Sequence, residues 1–308
     1  MTWIIETPRS QQQLAEDFIA NIGTDGTLPI VGAHDGMSSL LARKAGFSTL
    51  YLSGGALSAS KGIPDIGLLT LDDVTSRARE IVRASGLPLL VDVDNGFGEP
   101  LNVARTCLEM VEAGVAAIQI EDQQIPKKCG HLNGKKLIPA DEMVKKIQMI
   151  KQVAPTLKIV ARSDAYAIEG MQGMLERLRA YAESGAHVVF PEAMRTVEDF
   201  KNVREALNIP ILANMTEFGK TDYIKLEEFA DIGIDMVIFP VTSLRVAAHS
   251  VQEVYEAIQS EGTQKSMLDK MQTRKELYEI LRLHEYENMD SKIDRTVLPD
   301  DLEEKNEI

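Results

Sequence analysis

Short apolar stretches recur along this chain with polar, helix-patterned segments between them. Eight stretches, at residues 28–31, 49–52, 89–93, 117–120, 159–161, 188–190, 211–213 and 236–239, are rich in Val, Ile, Leu and Ala. Nearly unbroken apolar runs of this length suit parallel strands covered on both faces. Between and after them, residues 37–45, 72–84, 101–113, 141–154, 171–184, 197–206, 223–231 and 245–260 place apolar side chains three and four apart, as on one face of a helix. Thr70 and Thr196 stand where N-caps belong. Gly46, Gly86, Gly114, Gly185 and Gly233 follow helical segments, and Pro88 and Pro210 open strands.

Strands alternating with helices predict an α/β fold with a parallel sheet. The count of eight favours a closed (β/α)8 TIM barrel over an open doubly wound sheet. So do the polar residues spread over the C-terminal strand ends: Asp35, Ser53, Asp92, Asp94, Glu121, Arg162, Glu192 and Asn214. No Gly-x-Gly-x-x-Gly or Walker lysine motif opens a helix. The barrel is expected to occupy about residues 24–260, a C-terminal helical extension about 261–295, and an acidic tail 296–308. The extension exceeds what a barrel needs, which predicts packing on another subunit. Two connections, 53–70 and 122–138, are long enough to suggest function.

Composition narrows the partners. The chain has 308 residues, 44% hydrophobic and 26% charged, as soluble globular proteins do. Lys and Arg number 33 against 47 Asp and Glu, a net charge of −14, which argues against nucleic acid and against an anionic membrane surface. No apolar run approaches a membrane span, and the N-terminus lacks the pattern of a signal peptide. Two cysteines, Cys107 and Cys129, make no disulfide framework, so a reducing cytoplasm is expected. A small molecule is left as the partner.

The strongest chemical signal is Val91-Asp92-Val93-Asp94-Asn95-Gly96. Residues two apart on a strand share a side, so Asp92 and Asp94 should project together, with Glu121 from the next strand and Asp65 from the long loop. Hard oxygen donors at adjacent strand ends suit Mg²⁺, or Mn²⁺ in its place; ion pairing with arginines is the competing reading. In Lys127-Lys128-Cys129-Gly130-His131, the lysines and histidine would tune Cys129 as a thiolate or proton donor, or the segment is a solvated loop. Cys107, mid-helix among Val103, Leu108 and Val111, reads as core. Arg162 and Arg245 suit a substrate with several carboxylates, against the alternative of salt bridges to Glu192 or Glu217. Ser53-Gly54-Gly55 offers backbone N–H groups to a carboxylate, or is a turn. His187 reads as strand-flanking, His249 and His284 as helix-surface, and His34 is undecided.

Taken together, these motifs resemble the isocitrate lyase and phosphoenolpyruvate mutase superfamily, and within it the short-chain methylisocitrate lyases. The resemblance rests on residues 51–55, 62–65, 91–98, 120–123, 127–131, 161–165, 190–193, 212–219 and 261–264, and covers about residues 28–285. It implies a Mg²⁺-dependent lyase that splits the tricarboxylate 2-methylisocitrate into pyruvate and succinate, in propionate breakdown by the methylcitrate cycle. By the same resemblance, Asp92 and Asp94 bind the metal with Asp65 and Glu121 in support, and Ser53, Gly54 and Gly55 hold the pyruvate-side carboxylate. Arg162 contacts substrate near the metal. Asn214, Arg245, Gly130 and His131 hold the succinate half, with Glu192 and Thr216 close by, and Cys129 protonates the succinate carbanion. The base is left open among Lys127, Tyr51 and a metal-bound water. The family fold swaps its eighth helix region between subunits in tetramers built as dimers of dimers. Isocitrate or dimethylmalate cleavage, oxaloacetate decarboxylation and phosphonomutase chemistry are the alternatives on the same barrel.

Overall fold

The computed structural model describes residues 2–23, 26–128 and 134–298. Its strands are β1 (Leu28–Gly32), β2 (Leu50–Leu52), β3 (Leu89–Asp92), β4 (Ala117–Glu121), β5 (Lys158–Ser163), β6 (Val188–Pro191), β7 (Leu212–Asn214) and β8 (Met236–Phe239). They form one parallel sheet in the order β6-β5-β4-β3-β2-β1-β8-β7. A bridge between Val189 and Ile211 joins the two edges, so the sheet is a nearly closed barrel. The expected TIM barrel is thus the observed fold. Registers such as Leu50 opposite Leu89 and Glu121 opposite Arg162 bring the strand ends to one rim.

The helices are α1 (Thr2–Ile5), α2 (Gln11–Ala20), α3 (Gly36–Lys44), α4 (Gly54–Ser60), α5 (Leu71–Ser85), α6 (Pro100–Glu112), α7 (Ala140–Val153), α8 (Tyr166–Glu183), α9 (Val197–Ala206), α10 (Leu226–Asp231), α11 (Thr242–Glu261), α12 (Arg274–Leu281) and α13 (Leu283–Met289). A 3₁₀ turn, Lys265–Lys270, links α11 to α12. Thr70 and Thr196 cap α5 and α9 as expected, each in a reciprocal box with the aspartate three residues on. Gly170, with φ 72°, kinks α8 at the point where the apolar pattern predicts a helix start.

Outward-facing strand residues such as Leu89, Val91, Ile118 and Ile159 pack on the inner faces of α5 to α8. Cys107 on α6 is fully buried there, and burial pushes its thiol up to about 12, so it is inert core as read from the sequence. Inward-facing residues, among them Ile30, Leu90, Val160, Phe190 and Met236, fill the barrel. Leu14 and Phe18 of α2 join this interior group. The apolar pattern does not predict α2, although Ser10 and Gln13 form a capping box at its start. Helix α11, in the position of the eighth barrel helix, buries none of its residues. Among the described residues, no helix is long and apolar enough to cross a membrane.

Candidate active site

A cavity of about 480 Å³ opens at the C-terminal rim of the barrel. It is lined by Tyr51, Ser53 and Gly55 after β2, Asp65 from the following loop, Asp92 of β3, and Lys127 from the β4–α7 connection. Arg162 of β5, Glu192, Asn214, Thr216 and Arg245 of α11 complete its polar wall. Most of the residues expected from Tyr51 to Arg245 therefore line one cavity; Gly54, Asp94 and Glu121 are not in its lining, and others lie outside the described residues. Cys129, Gly130 and His131 are in that position. Their flanks are held firmly: Gln123 donates from Nε2 to the Lys128 carbonyl at 2.8 Å and accepts the Lys128 N–H at 3.0 Å. Gln123 also pairs with Leu137 in an antiparallel bridge.

The two aspartates converge, but not through strand alternation. β3 ends at Asp92, and Asp94 follows in a left-handed turn at φ 50°. That turn continues through Gly96 at φ 84°, where a Cβ would lie 2.5 Å from Val103, so only glycine fits. Strained backbone of this kind is most often retained at functional sites. Asp92 accepts the Asp94 N–H and Gln119 Nε2 on Oδ1, both at 3.1 Å, and the Gly54 N–H on Oδ2 at 3.1 Å. Gly54 begins α4, so the stretch read as a turn or a backbone donor site is a short helix capped by Ser53 and pressed against Asp92. A Cβ at Gly54 would stand 3.0 Å from Asp92 Oδ2 and 3.5 Å from Asp94 Oδ1.

Cations partly balance these acids. Lys127 Nζ lies 2.6 Å from both Asp65 Oδ1 and Asp94 Oδ1. Burial opposes its charge, but Asp94, Asp92, Glu121 and Asp65 outweigh burial and hold the ammonium's pKa above its ordinary value. Arg162 grips Asp164 through Nε at 2.9 Å and Nη2 at 3.1 Å, and also pairs with Glu121 at 3.3 Å and Glu192 at 3.8 Å. Burial again opposes Asp164's charge, yet Arg162 and Lys135 hold its carboxyl down at about 2. Arg245 pairs with Glu217 at 3.6 Å and lies over the Phe218 ring. The salt-bridge alternative for both arginines is therefore real, and it coexists with a place in the cavity wall.

The balance stays incomplete at two acids. Burial, reinforced by the charge of Asp92, pushes Asp94 up to about 6 even with Lys127 beside it. Glu121 is raised well above the carboxylate range, first by burial, and its Oε1 is buried with no hydrogen-bond partner. A hard divalent cation fits this all-oxygen set. Among the described residues no three acids close around a single point. The fit is thus to an ion held by one or two carboxylates that keeps several waters, the usual habit of Mg²⁺. Tyr51 is buried, and desolvation first, then Asp92, raises its pKa well above normal, so it is a neutral phenol.

Several supporting residues had no sequence signal of their own. Asp122 is fully buried beneath the rim and accepts from Ser163 Oγ at 2.8 Å, the Asp164 N–H at 2.9 Å and Tyr181 OH at 2.8 Å. Lys135 reaches Asp164 at 2.7 Å, and Lys146 donates to the Asn95 carbonyl at 2.9 Å. Among the described residues, histidine stays at the margin. His187 accepts the Ile159 N–H at the foot of β5, His249 is exposed on α11, and His284 pairs with Glu287 on α13. His34, undecided from sequence, lies 3.4 Å from Ser243 Oγ.

Comparison with known proteins agrees with this geometry. The phosphoenolpyruvate phosphomutase family model matches residues 19–259. The chain is 54% identical over 298 residues to the 2-methylisocitrate lyase of Halalkalibacterium halodurans, covering 97% of this chain and 99% of that one. It is 52% identical over 301 residues to the 2-methylisocitrate lyase of Bacillus subtilis, covering 98% and 100%. Among solved structures, a 2,3-dimethylmalate lyase superposes with a TM-score of 0.84 at 32% identity, over 92% of this chain and 95% of that one. The fold, the rim of acids and arginines, and these similarities agree: the chain belongs to the phosphoenolpyruvate mutase/isocitrate lyase superfamily, among the carbon–carbon lyases of the 2-methylisocitrate lyase group.

Proposed function

We propose that the protein cleaves 2-methylisocitrate to pyruvate and succinate with the help of Mg²⁺, as a step of propionate breakdown through the methylcitrate cycle. The observation that carries this reading is the meeting, at one cavity, of Asp92 with the cations Arg162 and Arg245, beside the incompletely balanced carboxyls of Asp94 and Glu121. Asp92 would hold the ion, with Asp94, Asp65 and Glu121 acting directly or through its waters. When bound, Mg²⁺ supplies Lewis-acid polarisation of the substrate's hydroxyl and carboxylate oxygens.

The chain's own groups supply the rest. Ser53 and the first turn of α4 receive the carboxylate beside the hydroxyl-bearing carbon, and Arg162 orients that end. Asn214, Arg245, Gly130 and His131 hold the other two carboxylates, with Glu192 and Thr216 alongside. Loss of the hydroxyl proton lets the C–C bond break, leaving a ketone on one fragment and a carbanion on the other. Cys129 delivers the proton that turns the carbanion into succinate. Lys127, held protonated, compensates charge, and Tyr51 is neutral. Neither is a free base in this arrangement.

Quaternary structure is part of the proposal. Val246, Val251, Tyr255 and Ile258 of α11 are exposed. Beside β1 and α3 runs an apolar groove of about 390 Å³ lined by Val31, Met37, Leu41, Ala42 and Phe47. Exchange of the α11 region between subunits would cover both surfaces, giving a dimer of dimers near 136 kDa from chains of 34.0 kDa. Light scattering after gel filtration measures this directly, and a monomer would remove it.

The activity is tested by offering 2-methylisocitrate, isocitrate, 2,3-dimethylmalate and oxaloacetate in parallel to purified protein with Mg²⁺. Pyruvate and succinate should form in equal amounts, fastest from 2-methylisocitrate. EDTA should abolish the reaction and added Mg²⁺ or Mn²⁺ restore it. No pyruvate from 2-methylisocitrate would sink the assignment.

A further inference from the structure

Gln119 is a fully buried carboxamide on β4, within the barrel and outside the cavity wall. Burying an amide costs free energy unless its polar atoms are engaged. Here Tyr51 OH lies 2.5 Å from Gln119 Oε1, and Gln119 Nε2 lies 3.1 Å from Asp92 Oδ1.

The direction of this chain follows from its last member. An ionised carboxylate can only accept, so the amide must turn its NH₂ to Asp92. Its carbonyl then faces Tyr51, and the phenol must donate to it. Tyr51 has one proton, and that proton is committed downward, leaving oxygen lone pairs for the cavity. At the other end, Asp92 Oδ1 already accepts from Gln119 and from the Asp94 N–H, whereas among the described residues Oδ2 accepts only from the Gly54 N–H. The carboxylate is thereby held with Oδ2 as the oxygen that has capacity left.

We propose that Gln119 is a positioning residue that sets both functions at once: it makes Tyr51 a hydrogen-bond acceptor toward the substrate and reserves Asp92 Oδ2 for the cation. The second half rests on the cation reading above; the first half does not. Partners of metal ligands in other proteins are worth about 10–100-fold in metal affinity.

The test uses purified full-length protein stripped of metal. Mn²⁺ binding is followed by electron paramagnetic resonance for the unmodified protein, Gln119→Met and Tyr51→Phe. Gln119→Met should bind Mn²⁺ about tenfold more weakly. Tyr51→Phe, which leaves the bond to Asp92 in place, should stay within about threefold. Independently, the tyrosine doublet in the Raman difference between unmodified protein and Tyr51→Phe should be that of a phenol donor, and Gln119→Met should shift it toward the acceptor form. Equal Mn²⁺ affinity in Gln119→Met and the unmodified protein would overturn the Asp92 role while leaving the cation reading intact. Failure of the unmodified protein to bind Mn²⁺ would overturn the cation reading together with the Asp92 role. An acceptor-type doublet in the unmodified protein would overturn the Tyr51 role, and that measurement stands even if Gln119→Met does not fold.

Discussion

Lys127→Met tests the electrostatic account of the site most directly. Lys127 Nζ sits 2.6 Å from both Asp65 and Asp94, with the lysine side chain 6% exposed and those of Asp65 and Asp94 23% and 11% exposed. Methionine keeps most of the side chain's volume and removes its charge. Leaving a buried charge without its partner costs about 3–5 kcal/mol, and the partial exposure of Asp65 places the expected loss near the low end, about 3 kcal/mol. For a chain of 308 residues the unfolding entropy is about 0.65 kcal/mol/K, so Tm should fall by roughly 5 °C in metal-free buffer. The deficit should also depend on pH. Burial already pushes Asp94 up to about 6 with Lys127 present, and removing Lys127 raises it further. A carboxyl whose folded pKa exceeds its unfolded value, about 4, destabilises the fold increasingly as pH rises from the lower to the higher value. The Tm deficit should therefore be larger at about pH 8 than at about pH 5. Saturating Mn²⁺ should recover more of Tm in the variant than in the unmodified protein, because a second cation enters a more negative site. Differential scanning calorimetry at both pH values decides the matter. A deficit that is the same at both, or absent, would show that Lys127 does not balance the charge of Asp94.

Three further outcomes are expected. Cys129→Ser should keep the substrate KM within about threefold and lower kcat by roughly 100-fold or more, measured by pyruvate release; turnover near that of the unmodified enzyme would remove the thiol as proton donor. His187, buried first and then flanked by Lys158 and Lys151, titrates near about 4 in the fold, so stability should decline as pH falls from the unfolded value of 6.5 to that point and level off below it. His187→Asn should flatten that limb in urea titrations, and an unchanged slope would exclude the histidine as its source. Phe18→Ala should cost about 3–5 kcal/mol in the same titrations because it opens a cavity at the base of the barrel; a loss below about 1 kcal/mol would show that α2 is dispensable to the core.

Most of the barrel is legible in the sequence because its strands are nearly unbroken apolar runs and several of its helices carry their own stops. The reading fails where tertiary contacts overrule local pattern. Residues 54–60 are rich in Gly, Ala and Ser and read as loop, yet they form α4 because the Gly54 N–H is held by Asp92. Helix α2 escapes the pattern for the opposite reason: Gln11-Gln12-Gln13 looks solvated, and only Leu14, Ala15 and Phe18 are buried. Asp92, Glu121, Arg162 and Glu192 are legible from their place at or beside strand ends. Gln119 is not, since an amide in mid-strand is indistinguishable by spacing from a strand's polar face. Asp122 and Lys135 were missed because Ser163, Tyr181 and Asp164, their partners, are distant in sequence.

The acidity that marks the whole chain looks unsuited to a tricarboxylate substrate, and the site explains how the proposed function overcomes it. Around the inner cavity, Asp65, Asp92, Asp94 and Glu121 outnumber Lys127 and Arg162, while the charge of Asp164 is shared between Arg162 and Lys135. In the absence of a cation this floor repels anions, and its own acids resist ionisation, as the raised Asp94 and Glu121 show. The proposed divalent ion would reverse both effects, restoring the ionised form of its ligands and turning the local field positive. Lys127 cannot do this alone: its ammonium is already spent on Asp65 and Asp94. Arg162 is likewise committed to Asp164, Glu121 and Glu192. Lys127 and Arg162 thus mainly neutralise the scaffold, and the proposed ion would add to Arg245 the positive charge that attracts a polyanionic substrate.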